Sequence, residues 1–180
     1  VKDELQLLVV PGFGGSAIAI NVPNAIHQGI ELGLNGTAWQ GEKGDRLTGR
    51  MALTVSDYSF DNNATYGNNQ LPGAPPYYVR AEARYATPSG FYIGPNVEWV
   101  PQGYYVDSVN NPAFMTSSYA LLGAKAGYTG FKGVEIFLDA RNLTNQMVSN
   151  VGVTNTATAT SQLYNPGEGA TIFAGIQTRF

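Results

Sequence analysis

The chain contains no cysteine, which excludes a disulfide scaffold and cysteine-ligated metal sites. Charge is scarce: Asp, Glu, Lys and Arg make up 13% of residues, against roughly 25% in an ordinary soluble domain. The net charge of −3 is small and unpatterned, so nothing points to nucleic acid. Long apolar runs are missing too. No stretch of about 18 apolar residues occurs, which excludes helical membrane spans, and the mean hydropathy is only −0.13. There is no leader before Val1; an exported protein needs one, so a processed chain or a fragment is expected. Glycine (22) and tyrosine (11) are plentiful instead. Low charge, many aromatics and no long apolar run suit a β-barrel in a membrane, where apolar and polar residues alternate and average out.

Alternation is the main signal and recurs in eight segments: residues 1–10, 26–39, 46–60, 77–87, 91–106, 118–128, 134–143 and 170–180. Several exceed the roughly 5–6 residues usual in globular sheets and approach the roughly 9–11 of a tilted membrane strand. Residues 77–85 show the logic. Tyr78, Arg80, Glu82 and Arg84 point one way, and Tyr77, Val79, Ala81, Ala83 and Tyr85 the other. Eight steps of about 3.4 Å, tilted by about 40°, span about 21 Å, close to the height of a lipid-facing band. Tyrosines at both ends of that face sit where aromatic girdles belong. Phe91 and Trp99 bound the next apolar face, with Ile93 and Val97 between them, opposite Asn96 and Glu98. Ile136, Leu138 and Ala140 oppose Glu135, Asp139 and Arg141; Met51, Leu53 and Val55 oppose Arg50 and Thr54; Ile30, Leu32 and Leu34 oppose Glu31 and Asn35.

Short connections (40–45, 88–90 and 129–133) alternate with long ones (11–25, 61–76, 107–116 and 144–169). Outer-membrane barrels have short periplasmic turns and long extracellular loops, which places both chain ends in the periplasm. A soluble sandwich or barrel also alternates, but strand length, low charge and paired aromatic ends speak against it. The fold expected is all-β: an antiparallel transmembrane β-barrel over residues 1–180, with no second domain and no helical segment.

The presumed inward faces carry Glu4, Glu31, Arg50, Arg80, Glu82, Arg84, Glu98, Lys125, Glu135, Asp139 and Arg141. The signs nearly balance, so the plain expectation is a lumen of neutralising ion pairs, because charges taken from water need partners. Tyr77, Tyr85, Phe91 and Trp99 are the expected membrane-interface aromatics. Tyr58, Phe60, Tyr104 and Tyr105, at loop edges, suit interface anchoring better than ligand contact. The 144–169 loop is long enough to bind a partner, yet polar and low in anchors, which leaves plain mobility open. Catalysis has little support. His27 is the single histidine, with no Ser or Asp fixed beside it, and Asp3 and Glu4 point to opposite faces of a strand. No metal-ligand spacing exists, and the glycine pairs at Gly14–Gly15 and Gly167–Gly169 are loop punctuation and no phosphate cradle. No enzyme, metal or cofactor is expected.

Longer motifs carry a resemblance. "NQLPGAPPYYVRAEARY", "GFYIGPNVEWVPQGYYVD", "YALLGAKAGY", "VEIFLDARNLTNQ" and "YNPGEGATIFAGIQTRF" follow in this order. With "HQGIELGL" upstream, they resemble the C-terminal part of the barrel in TonB-dependent outer-membrane receptors. The most diagnostic pair is "NLTN" at Asn142–Asn145 and "YNPG" at Tyr164–Gly167. The final strand, stepping by twos from Ile172 through Ile176 to Phe180, resembles the C-terminal signature of outer-membrane proteins. The resemblance implies a bacterial outer-membrane location among lipids and lipopolysaccharide, insertion by the barrel-assembly machinery, and uptake of a siderophore or similar scarce nutrient, with other protein subunits as further partners. Neither a plug domain nor a TonB box is seen, and family barrels have about 22 strands against about eight here. The chain is therefore the last third of a receptor, or a stand-alone structural, adhesive or partner-binding barrel. Two unpaired sheet edges are a severe liability, so closure of eight strands on themselves is the expectation.

Overall fold

The computed structural model describes residues 24–178 in full and residues 4–9 and 17–22 as backbone. The expected Phe180 signature and the Glu4 side chain lie outside the described residues. β1 (Glu4–Val9) and β2 (Ala17–Val22) form a separate antiparallel hairpin. β3 (Ala25–Gln40), β4 (Arg46–Phe60), β5 (Tyr77–Ala86), β6 (Phe91–Val100), β7 (Tyr119–Phe131) and β8 (Val134–Arg141) follow, then a short hairpin of β9 (Ser149–Val151) and β10 (Tyr164–Pro166), and finally β11 (Thr171–Thr178). One seven-stranded antiparallel sheet runs β11-β8-β7-β6-β5-β4-β3. The only described helical element is a 3₁₀ turn at Pro112–Phe114, capped by the Asn111 side chain.

Eight strands closing on themselves were expected; the structure corrects this to an open sheet of seven. Segment 1–10 pairs with residues that read as a loop, and so does not stand between β3 and β11. Seven alternating strands leave β3 and β11 running in the same direction. Joining those two would need a parallel ladder, whose hydrogen-bond pattern differs from every other pair in this sheet. The strand read as 91–106 stops at Val100; residues 101–106 belong to the loop region instead.

Register fixes the faces. Arg50 pairs with Glu82, Arg80 with Glu98, Lys125 with Asp139 and Arg141 with Thr171, so these residues share one face. The other face carries Leu32, Leu53, Val79, Trp99, Ala120 and their neighbours at steps of two. Pro95 sits inside a central strand and offers no N–H to the ladder. The β5–β6 pairing accordingly lapses between Glu82–Asn96 and Tyr85–Ile93. Gly94 makes the irregularity possible: a Cβ there would collide with the Ala83 carbonyl oxygen.

The apolar face is uncovered. Ile30 is 69% exposed, Leu138 54% and Ile172 72%. A soluble sandwich would bury this face against a second layer; here it faces outward along the sheet, as lipid contact requires. Apart from Tyr92 near the start of β6, the buried residues gather at the long-loop end of the sheet. Phe60 packs with Ala25 and Leu71, flanked by Tyr58 and Tyr66, while Val106, Asp107, Ser108 and Ala157 form a second buried group.

Candidate functional site

The polar face gathers the charges into a ladder. Arg80 Nη2 meets Glu98 Oε2 at 2.9 Å, and Arg50 Nη1 meets Glu82 Oε1 at 3.6 Å. Arg141 donates to Asp139 within β8 at 2.9 Å and also stacks over Phe173, 4.6 Å from the ring centre. That leaves Lys125, opposite Asp139 in register, with its ammonium over the Phe137 ring at 4.5 Å. Arg84 lies 3.7 Å from the centre of the Tyr92 ring, and the Tyr92 hydroxyl donates to Glu135. Glu31 stands opposite Thr54. Arg80 also lies over the Tyr78 ring at 5.3 Å, so four of the ten charges expected in a lumen network are cations over aromatic rings. For Arg84 and Lys125 the ring stands in for a carboxylate, while Arg80 and Arg141 hold both; each ring interaction contributes about 0.5–1 kcal/mol where solvent reaches it.

Between these strands the face is hollowed into a recess of ≈ 880 Å³. Four cations (Arg50, Arg80, Lys125, Arg141) and four anions (Glu82, Glu98, Asp139, Glu168) line it. A wall of balanced sign does not select an ion by charge; a selective pore would show one dominant sign.

The apolar face carries the four expected aromatics at its two ends. Tyr85 and Phe91 lie beside the short β5–β6 turn, Tyr77 and Trp99 beside the long loops, each between 37% and 46% exposed. Three more aromatics were missed by the sequence reading: Trp39, 49% exposed and in register with Leu47, the partner of Tyr85, Tyr128 and Phe131. Phe131 is 56% exposed and meets the Tyr128 ring edge-on at 5.2 Å. Tyr128 is the register partner of Phe91, so a position at the end of the strand was the available signal.

The three long loops, residues 61–76, 101–118 and 142–170, lie at one end of the sheet and interlock. Asp107 is the brace, with no exposed surface. Its Oδ1 accepts from the Asn111 N–H at 2.9 Å and its Oδ2 from the Ala157 N–H at 3.0 Å. Backbone bonds Ser108 N–H to Thr154 and Thr154 N–H to Val106 run alongside. Asn110 reaches the third loop, accepting from the Gln70 N–H and donating to the Gln70 carbonyl. The Tyr164 hydroxyl donates to the Phe114 carbonyl at 2.8 Å. Residues 144–169 are therefore tied into the other loops, and mobility is not the reading their bonds support. No sequence signal pointed to Asp107, which reads as a solvated turn residue.

The "NLTN" motif has a structural job. Asn142 and Asn145 adopt left-handed backbone, at φ of 49° and 48°, which asparagine tolerates better than most residues. Buried Asn142 donates to the Gln146 and Glu168 carbonyls and accepts from the Gln146 N–H. Asn145 accepts from the Ala170 N–H, and Gln146 from the Ala120 N–H. The motif thereby locks the exit of β8 to the entries of β7 and β11. The "YNPG" tyrosine is the Tyr164 that pins Phe114.

Among the loop-edge aromatics, Phe60 is corrected: it is 1% exposed and meets Tyr66 at 4.9 Å, so it touches neither lipid nor ligand. Tyr58 stacks on His27 at 4.7 Å. Tyr104 lines a pocket between loops, and burial pushes its phenol above the ordinary value. Burial and then the Asp107 charge do the same to Tyr164.

The profile described as "TonB dependent receptor-like, beta-barrel" matches residues 1–143. Among solved structures, the siderophore receptor PiuA from Acinetobacter baumannii superposes with a TM-score of 0.67 at 20% identity, covering 86% of this chain and 22% of that one. The copper transporter OprC gives 0.66 at 18%, covering 99% and 27%. The ferric-catecholate import receptor Fiu from E. coli K12 gives 0.61 at 19%, covering 99% and 24%. The chain thus spans about a quarter of the length of each of these structures. No curated protein matches it in sequence.

Proposed function

Because this chain belongs to the TonB-dependent receptor-like β-barrel family, we propose that it forms wall strands of an outer-membrane receptor barrel that takes up a siderophore or a similar scarce nutrient. The observation that carries the reading is the division of one sheet into two faces. One is apolar, exposed and bounded by aromatics at both ends; the other is a charge-balanced wall around a recess. The first suits lipid and lipopolysaccharide, with Tyr77, Tyr85, Phe91 and Trp99 at the interfaces. The second suits a lumen, where Glu31, Arg50, Arg80, Glu82, Arg84, Glu98, Lys125, Glu135, Asp139 and Arg141 face other parts of a receptor across water. Ile176 and Phe180 would serve the assembly machinery. A stand-alone adhesive or structural barrel has less support, since the seven strands do not meet edge to edge.

On this reading the interlocked loops face outward and the short turns face the periplasm. These 180 residues contain no cysteine, and any cysteine elsewhere in the complete protein is first replaced by serine. Asn68→Cys in a long loop and Lys43→Cys in a short turn are introduced separately into the complete protein. A membrane-impermeant maleimide labels Asn68→Cys on intact cells and Lys43→Cys only after lysis. The reverse pattern would overturn the orientation. Loss of uptake of radiolabelled ferric siderophores or other candidate nutrients on deletion, restored by the intact gene, tests transport itself.

A further inference from the structure

Where residues 101–118 meet the β9–β10 hairpin, the loops leave a pocket of ≈ 170 Å³. None of its eleven lining residues is charged, in contrast to the recess on the sheet. Seven of the eleven carry a hydroxyl. Three of those hydroxyls are already engaged. Thr116 Oγ1 accepts from the Tyr104 N–H, Tyr119 donates to Glu98, and Tyr164 donates to the Phe114 carbonyl. The hydroxyls of Tyr104, Ser117, Ser118 and Ser149 make no hydrogen bond to another described residue. Met115 adds a thioether to the lining, and Met147, 92% exposed, stands at its rim.

A hydroxyl both donates and accepts, so several free ones around an uncharged pocket match a ligand that is itself neutral and rich in hydroxyls. A charged ligand would find no counter-ion there, and desolvating an unpaired charge is costly. Size narrows the class further: an apolar cavity of about 150 Å³ accommodates a single benzene ring, so this pocket holds one six-membered ring. We propose that it is a binding subsite for one neutral pyranose ring, whose apolar faces pack on the Tyr104 ring and Met115 while its hydroxyls bond those of Tyr104, Ser117, Ser118 and Ser149. The two walls are held together by Asp107 and by the Tyr164–Phe114 bond, so the pocket is formed before the ligand arrives. The inference rests on the loop geometry and not on uptake.

The test uses the complete protein in a detergent without a sugar headgroup, with folding checked by heat-modifiable gel mobility. Saturation-transfer NMR and titration are run with methyl glucoside, methyl galactoside and, as a neutral aromatic control, phenol. At least one pyranoside binds saturably. Ser149→Ala and Tyr104→Phe each weaken it about fivefold, the loss of roughly one hydrogen bond, while Lys43→Gln in the short turn at the opposite end of the sheet leaves it unchanged. Folded protein that binds neither pyranoside, that binds phenol alone, or whose pyranoside binding ignores Ser149→Ala and Tyr104→Phe, overturns the assignment. Nutrient uptake by the same variants is scored separately, so failure of the subsite and failure of the transport reading are told apart.

Discussion

Replacing Asp107 by alanine removes two acceptors at once from a place water does not reach. The Asn111 and Ala157 amides, now bonded at 2.9 and 3.0 Å, lose their partner. Hydrogen bonds to a charged group contribute about 1.5–3 kcal/mol each. Two of them, allowing for some relaxation and water entry, put the local cost at about 3–5 kcal/mol. The strands themselves contribute no bond to this carboxylate, so the damage stays at the loop end. Amide exchange at Asn111 and Ala157 should then accelerate by about two to three and a half orders of magnitude, while protection in β5 to β8 is unchanged. Hydrogen-exchange mass spectrometry on the complete protein resolves both regions. Asp107→Asn keeps one oxygen acceptor and turns an NH₂ toward the other amide, so it should lose about half as much. Equal protection at Asn111 and Ala157 in wild type and Asp107→Ala would show that the backbone bonds to Thr154 hold the loops unaided, and the reasoning would fail.

Three further outcomes follow from the sheet. Leu138→Arg, on the exposed apolar face near the middle of β8, should cost about 2–4 kcal/mol of folding into vesicles, measured by denaturant titration, whereas Lys43→Glu in the turn should be neutral within error. Gly94→Val should prevent assembly, because its Cβ meets the Ala83 backbone and cannot be accommodated by a side-chain rotation; a normal heat-modifiable band would refute this. Asn142→Ala should leave the Gln146 N–H and the Gln146 and Glu168 carbonyls without their present partner, and proteolysis between β8 and β11 should rise several-fold, with Asn142→Asp intermediate.

Much of the sheet was legible because period-two alternation is local. Tyr77 to Tyr85 announces its two faces within nine residues, and β5 begins where that reading placed it. The pairing of Arg80 with Glu98 follows once the single β5–β6 hairpin is assumed. Other features depend on distant groups. Asp107 reads as a turn residue, and only the arrival of Ala157, fifty positions later, makes it a buried brace. Phe60 ends an alternating strand in the way a girdle residue does, and its burial comes from Leu71 and Ala25 folding over it. Closure misled for another reason. Residues 17–22 carry the weak alternation of "AIAINV" inside a stretch bounded by glycine and proline, so a strand was counted as loop and its hairpin partner was assigned to the barrel.

The direction of the two edge strands has an arithmetic consequence. β3 and β11 point the same way, so an all-antiparallel cylinder can be completed only by inserting an odd number of strands between them. Addition of the β1–β2 hairpin alone leaves that parity unchanged. Whatever completes the cylinder must therefore bring an odd complement, and the finished circumference is even, as in the single-chain barrels of bacterial outer membranes.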